Sequence, residues 1–416
     1  MTLPITPNTR AHQQHCVIRN PIRRICALLP ARGIRMPALF LALLLTTALQ
    51  VRAQQEIVID KTATATRVIP IALNGFTGEV ASALKFDLEV LGFEIVDSSK
   101  AQYNVTGTTA AHVEGRLIDQ VTKASLFAKR YNASTRRAET HALANDIVSQ
   151  LRQIPGIAHT KIAFKGQTGA QTEIYVADYD GSNAMPITSD GALVAAPGWG
   201  PNGRTLAYTS YRSGYPDIYV QDLSGKREII AKYPGLNTSA AVSPDGKWMA
   251  MILSKDGSPD LYVSRIDGSN LKRLTKTRAV DASPCWSPDG KTICFVSDSR
   301  GASGLFLISP DGSGMRKLRT VGSGKPTEPD WSPDGSQIVF TSQWRQFVIC
   351  VVPAAGGEVT TLVDGEDPSW APNSRTVIFS KRKQGRRLLS LLDVPTKRIK
   401  DIPQSLAGSS QPSWAK

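Results

Sequence analysis

The stretch Cys285–Asp298, CWSPDGKTICFVSD, reads as two short strands folded over a tight turn. Pro288 presets φ at the turn's first central position, Asp289 can bond its own backbone, and Gly290 takes the left-handed position. The residues after the turn alternate, which sends one face of the return strand inward. Near-copies stand at Ala241–Ser254 (AVSPDGKWMAMILS) and Asp330–Gln343 (DWSPDGSQIVFTSQ).

Aligned on the residue two before the turn proline, the series is Trp199, Val242, Trp286, Trp331, Trp370 and Trp414, with steps of 43, 44, 45, 39 and 44 residues. A period of about 40–45 residues with four strands per unit is the signature of propeller blades. Each unit continues from its return strand into a third strand (DIYVQDLSG, DLYVSRIDG, GLFLISPDG, FVICVVPAAGG) and a shorter fourth (LKRLT, MRKLR, EVTTLV, KRIKDI). The Trp at the fixed position is expected to pack between blades. Five full units run from Leu193 to Ile402, and a sixth stops one strand in, at QPSWAK. Its missing strands stand upstream, as TKIAFKGQ (Thr160–Gln167), EIYVADYDGSN (Glu173–Asn183) and AMPIT. The expected fold is therefore mostly β: a six-bladed β-propeller over 159–416, closed by pairing of the C-terminal strand with the first blade. Such closure leaves no open sheet edge.

A different pattern precedes the ring. ATRVIPIAL, FEIVD, YNVTGTTAAHV and LIDQVTKASLFAKRYNA read as strands, while GEVASALKFDLEVLG and TRRAETHALANDIVSQLRQI have helical spacing. In the first helix Val80, Leu84, Leu88 and Leu91 share a face, and Pro155-Gly156 ends the second. These elements form a small α/β domain over 54–158. Residues 1–53 read as a signal peptide: an Arg-rich stretch, the apolar run Pro37–Leu49, and a small residue, Ala53, at the cut. That run is shorter than the about 20 residues a spanning helix needs.

The formal net charge is +14, and the seven arginines of the leader supply half of it. The remainder is spread thinly, with no basic groove for nucleic acid. One cluster, Lys381, Arg382, Lys383, Arg386 and Arg387, reads as a solvated hairpin tip or as attraction to an acidic partner or an anionic membrane surface. Export leaves Cys285, Cys294 and Cys350, an odd number that suggests no disulfide framework; Cys285 and Cys294 flank one turn and are expected as cross-strand neighbours.

Catalytic signatures are missing. There is neither a GxSxG elbow nor an HExxH pair; His112, His141 and His159 are scattered and read as structural or exposed. GSGKP (Gly322–Pro326) lacks the spacing of a phosphate loop. DYDGSN (Asp178–Asn183) resembles a calcium loop, but its recurrence as RIDGSN and SPDGSG argues for a hairpin turn. No catalytic residue, metal or cofactor is expected. Function is expected where blades differ, in the loops entering each Trp strand: PGLNTSA, TRAVDAS, GSGKPTEP, DGEDP and AGSSQP. These should gather at one mouth of the central channel.

The WSPDGxxIxF blades, the EIVIDKTATATRVIPIAL stretch, the junction TRRAETHALANDIVSQLRQIPGIAHTKIAF and the PSWAK terminus together resemble the TolB family, periplasmic propeller proteins of the Tol–Pal system. The resemblance implies a periplasmic binding hub without catalysis, monomeric and peripheral to the membrane through its partners. It would serve envelope integrity and outer-membrane constriction during division. It implies that the mature N-terminus, Gln54, Gln55, Glu56, Ile57, Val58, Ile59 and Asp60, binds TolA. It implies that Leu236, Asn237, Ser239, Ala282, Thr327 and Glu328 belong to a channel mouth that binds the lipoprotein Pal. A propeller that binds a peptide or glycan independently of Tol–Pal is the alternative.

Overall fold

A computed structural model of the chain describes residues 66–416 apart from 169–170, 202, 300, 404–405 and 407. The expected signal peptide and the segment Gln54–Asp60 lie outside the described residues. Among the described residues no helix is long and apolar enough to cross a membrane.

The α/β region runs β1 (Ile69–Asn74), α1 (Gly78–Val90), β2 (Phe93–Ile95), β3 (Tyr103–Thr108), β4 (Glu114–Asp119), β5 (Ser125–Arg130) and α2 (Arg136–Arg152). The strands form one sheet in the order β2-β1-β3-β4-β5, parallel across β2-β1-β3 and antiparallel beyond. Val80, Leu84, Leu88 and Leu91 are all buried, as their spacing predicts. Thr135 caps α2 by accepting the Ala138 N–H at 3.1 Å, and Gln153 turns left-handed (φ 56°) just before Pro155 ends the segment.

Six four-stranded sheets follow, so the chain is a six-bladed propeller preceded by the α/β region. We number the blades from the closing one. The innermost strands are Ser410–Trp414 in blade 1, Val194–Trp199 in blade 2, Asn237–Val242 in blade 3, Asp281–Trp286 in blade 4, Lys325–Trp331 in blade 5 and Glu366–Trp370 in blade 6. In blade 1 the C-terminal strand pairs with Lys161–Thr168, which pairs with Gln171–Asp178, which in turn pairs with Met185–Pro186. The register joins Trp414 to Ile162 and Ser410 to Lys165. The indole of Trp414 donates to Thr160 Oγ1 at 2.8 Å.

The turns at the foot of the inner strands of blades 3, 4 and 5 repeat the same chemistry. In blade 3 the Ser243 hydroxyl donates to Asp245 Oδ1 at 2.5 Å, the Lys247 N–H bonds the same oxygen at 3.0 Å, and the Trp248 N–H bonds Ser243 Oγ at 2.9 Å. Blades 4 and 5 repeat it with Asp289 and Asp334. These aspartates serve their own turns, and Gly246, Gly290 and Gly335 supply the positive φ. In blade 6, where the sequence reads APNSR, Ser374 takes that conformation (φ 52°).

The tryptophan at the foot of five of the six inner strands packs on the preceding blade; blade 3 has Val242 there. Trp286 joins Ile252, Leu261 and Val263 of blade 3, and Trp331 joins Cys294, Leu305 and Leu307 of blade 4. Cys285 and Cys294 are cross-strand neighbours in register, and both are buried free thiols. The core of the α/β region is continuous with blades 1 and 6: Phe86, Leu88 and Ile147 cluster with Tyr179, Leu389, Leu391, Ile402 and Trp414.

Candidate functional site

The six inner strands wall a cavity of about 430 Å³ along the propeller axis. Midway along each strand the register with its neighbour slips over two residues, at 411–412, 196–197, 239–240, 283–284, 328–329 and 367–368. The first residue of each slip, Gln411, Ala196, Ser239, Ser283, Glu328 or Asp367, has φ between 48° and 56°. Five of the six second residues are proline: Pro412, Pro197, Pro284, Pro329 and Pro368. Proline cannot donate to a ladder, so a sheet accepts it at an edge strand or a bulge; here it has both. Each left-handed non-glycine residue costs roughly 1–2 kcal/mol, and the same cost recurs in every blade.

The bulge residues line the cavity, and their side chains decide how the blades are tied. Glu328 Oε2 accepts the Asp367 N–H at 3.2 Å, Asp367 Oδ2 accepts the Gln411 N–H at 3.0 Å, and Gln411 Oε1 accepts the Ala196 N–H at 3.1 Å. A second tier lies deeper. Asp330 Oδ2 accepts the Trp370 N–H at 2.7 Å, and Ser369 Oγ accepts the Trp414 N–H at 3.1 Å. The Trp199 indole donates to the Ser413 carbonyl at 3.0 Å. These bonds run without interruption from blade 5 through 6 and 1 to 2.

Glu328 is further bonded by the Thr341 hydroxyl at 2.8 Å. Burial, reinforced by the neighbouring Asp367 charge, pushes its carboxyl up to about 7. Lys165, across the closing seam, is lowered by burial against the pull of Asp367. At the far end of the cavity Lys416 Nζ reaches Asp330 Oδ1 at 2.6 Å.

Of the mouth residues expected from sequence, Ser239 and Glu328 line the cavity, on blades 3 and 5. Leu236, Ala282 and Thr327 are half-buried on the strands and approaches above. Asn237 is fully buried: its amide donates to the Pro216 and Tyr233 carbonyls at 2.9 and 2.8 Å, and its oxygen accepts the Tyr233 N–H at 3.0 Å. It shapes the mouth and presents no polar atom to it. Much of what the sequence suggests is loop is in fact strand; the ends of PGLNTSA, TRAVDAS, GSGKPTEP, DGEDP and AGSSQP lie within the inner strands, because the bulge lets pairing resume beyond the proline. Ala196, Ser283, Asp367 and Gln411 were missed; the signal for them is the proline two residues before the Trp.

A second polar cluster joins the α/β region to blade 1. His141 Nδ1 sits 2.7 Å from Asp87 Oδ2 and its Nε2 3.6 Å from Asp180 Oδ2, with all three residues buried. Arg137 pairs with Asp180, and the Tyr179 hydroxyl donates to Asp87. Burial works against a charged His141, but the Asp87 bond and charge outweigh it and raise its pKa. The three ligand-type atoms lie within 4.8 Å of one another, a spacing compatible with a metal. Arg137 pairs with Asp180 and His141 bonds Asp87, so the cluster ties the two helices of the α/β region to blade 1 and works as a clamp. The DYDGSN stretch is a hairpin turn, with Asp180 Oδ1 accepting the Ser182 N–H at 2.9 Å.

The TolB beta propeller domain family matches residues 148–416, the whole ring. The chain belongs to the TolB beta-propeller family. Among curated relatives it is similar to the Tol-Pal system protein TolB of Dechloromonas aromatica, 32% identical over 235 residues, covering 48% of this chain and 55% of that protein. It is likewise similar to the protein of the same name from Nitrosomonas europaea, 30% identical over 208 residues, covering 42% of this chain and 49% of that protein. The chain thus matches about half the length of these TolB relatives. The crystal structure of TolB from Acinetobacter baumannii shares the fold, with a TM-score of 0.77 at 24% identity over 84% of this chain and 97% of that one.

Proposed function

We propose that this TolB-family chain is an exported, non-enzymatic adaptor of the Tol–Pal system, working in the periplasm. Its channel mouth would bind the lipoprotein Pal, and its segment Gln54–Asp60 would bind TolA. One observation carries the reading: six strands in the same bulged register hold unequal side chains around one cavity. A rigid frame with a non-repeating mouth suits recognition of another macromolecule. The similarity to Tol-Pal system proteins TolB supports the choice of Tol–Pal. Ser239 and Glu328 would meet Pal directly, Leu236, Ala282 and Thr327 would form the rim, and Asn237 would hold the rim in place. Ile57 and Ile59 alternate as a segment adding a strand to another sheet's edge does. The protein would act as a monomer, without nucleic acid or cofactor, and link an outer-membrane lipoprotein to an inner-membrane motor for envelope integrity and constriction at division. Capture by Pal and by TolA from the same source tests the proposal. Removing Gln54–Asp60 should abolish TolA capture and spare Pal capture, whereas failure of both captures by the unaltered protein would overturn it.

A further inference from the structure

Two hairpin tips stand out on the mouth side of blades 5 and 6. The first, Gln343–Phe347, carries Trp344 and Phe347, which are 60% and 39% exposed. The second is the tip at 383–386, a tight turn through Gln384 (φ 51°) and Gly385 (φ 77°) flanked by the basic cluster. Both link the second and third strands of a blade, so both rise at the end where the inner strands begin.

A short bridge fixes them together. Gln346 Nε2 donates to Asp364 Oδ1 at 2.7 Å, the Gly365 N–H donates to the Phe347 carbonyl at 3.1 Å, and Arg387 pairs with Glu366 at 2.9 Å. Three consecutive residues thus seat the aromatic tip beside the basic one. The positive charge is only partly matched. Lys381 and Lys383 share Asp401, whose carboxyl is driven down to about 2 by these partners against its burial. Arg382 reaches Glu366 only at 3.9 Å. Among the described residues Arg345 and Arg386 enter no ion pair, and both are exposed.

We propose that this edge is an interfacial docking patch for an anionic phospholipid surface. Trp344 and Phe347 enter the headgroup layer, and Arg345, Arg382 and Arg386 meet lipid phosphates. The patch is made of two hairpin tips with exposed side chains. A folded partner would need a matching pocket for the projecting indole, whereas a bilayer interface moulds itself to a protruding aromatic and concentrates counter-charge around arginines. The inference rests on the proposed export into a compartment bounded by membranes.

The test is co-sedimentation of the protein, as its host exports it, with vesicles of phosphatidylethanolamine and phosphatidylglycerol. Pure phosphatidylcholine vesicles are the neutral control. Binding should be confined to the anionic vesicles and weaken with salt. The paired change Arg382→Gln/Arg386→Gln should weaken it by about tenfold or more. Trp344→Ala should weaken it too and remove a blue-shifted emission component that appears only with vesicles. All these side chains are exposed, so unchanged melting curves are expected. Equal binding by the variants, absence of binding by the unaltered protein, or capture of an acidic polypeptide through the same residues without vesicle binding would each overturn the proposal. Pal and TolA capture by the same variants, measured in parallel, separates its failure from failure of the adaptor reading.

Discussion

The two halves of the channel wall solve one backbone problem with different means. Every inner strand carries the same left-handed bulge, yet blades 5, 6 and 1 place Glu328, Asp367 and Gln411 there, while blades 2, 3 and 4 place Ala196, Ser239 and Ser283. On the first side each bulge side chain accepts a backbone N–H of the next blade. On the other side the ties are the Thr209–Thr238 hydroxyl contact at 3.1 Å and the Trp286 indole on the Ala241 carbonyl at 2.9 Å. The bonded half is the one that contains the seam between the two ends of the ring. The run of polar acceptors includes blade 1, the one sheet assembled from two distant segments of the chain, while blades 2, 3 and 4 carry small residues there.

The harshest way to break this comparison is to remove Ser410–Lys416. That change takes away the inner strand of blade 1, its pairing with Lys161–Thr168, the Trp414 core contact and both tiers of bonds to blade 6. The cooperative melt followed by circular dichroism should disappear; a melt like that of the intact protein would refute closure by this strand. Next comes Trp331→Ala, at an inter-blade layer away from the seam, expected to cost about 3–5 kcal/mol in urea unfolding. Asp367→Ala strips the Gln411 N–H of its acceptor and the Ser380 hydroxyl of one of its two. It should cost about 1–3 kcal/mol. The equivalent change on the plain half, Ser239→Ala, should stay within about 0.5 kcal/mol. Equal costs would erase the distinction between the halves.

A pH-dependent effect sharpens the electrostatics. Glu328 is held near 7 in the folded protein against an ordinary 4.5. A raised carboxyl pKa favours the folded state fully at pH below 4.5, and that benefit is lost as pH climbs to 7. Glu328→Gln keeps an acceptor for the Asp367 N–H and removes the loss. The variant should therefore be more stable than the parent above neutrality, by about 1–2 kcal/mol, with the gap closing toward acid. Melting curves across that pH range read the effect directly.

The ring was legible because turn chemistry is local. The Ser-Pro-Asp-Gly turn is closed by bonds within itself, so each copy can be recognised without its neighbours, and the spacing of the copies then counts the blades. The channel wall was less legible. Pro197, Pro284, Pro329, Pro368 and Pro412 announce the bulges in the sequence, but which bulge side chain accepts from which blade is decided by tertiary packing. Asn237 shows the converse error. A polar residue beside a variable loop resembles a contact, yet its amide is spent on the Tyr233 carbonyl of its own turn and the Pro216 carbonyl of blade 2. His141 lies 54 residues from Asp87 on another helix, and no periodicity joins them; the clamp is created by docking of the α/β region on blade 1.

The seam also dictates an order of events. Lys161–Thr168 obtains its inner neighbour from a strand about two hundred and fifty positions further along the polypeptide. If the chain is threaded through a translocation pore from its amino end, that strand emerges early and must wait, with a bare ladder of peptide groups, until the final few residues arrive. The interval is when an unrelated extended peptide could occupy the vacancy, so this protein's risk of misassembly is concentrated before release and falls once the last strand snaps in.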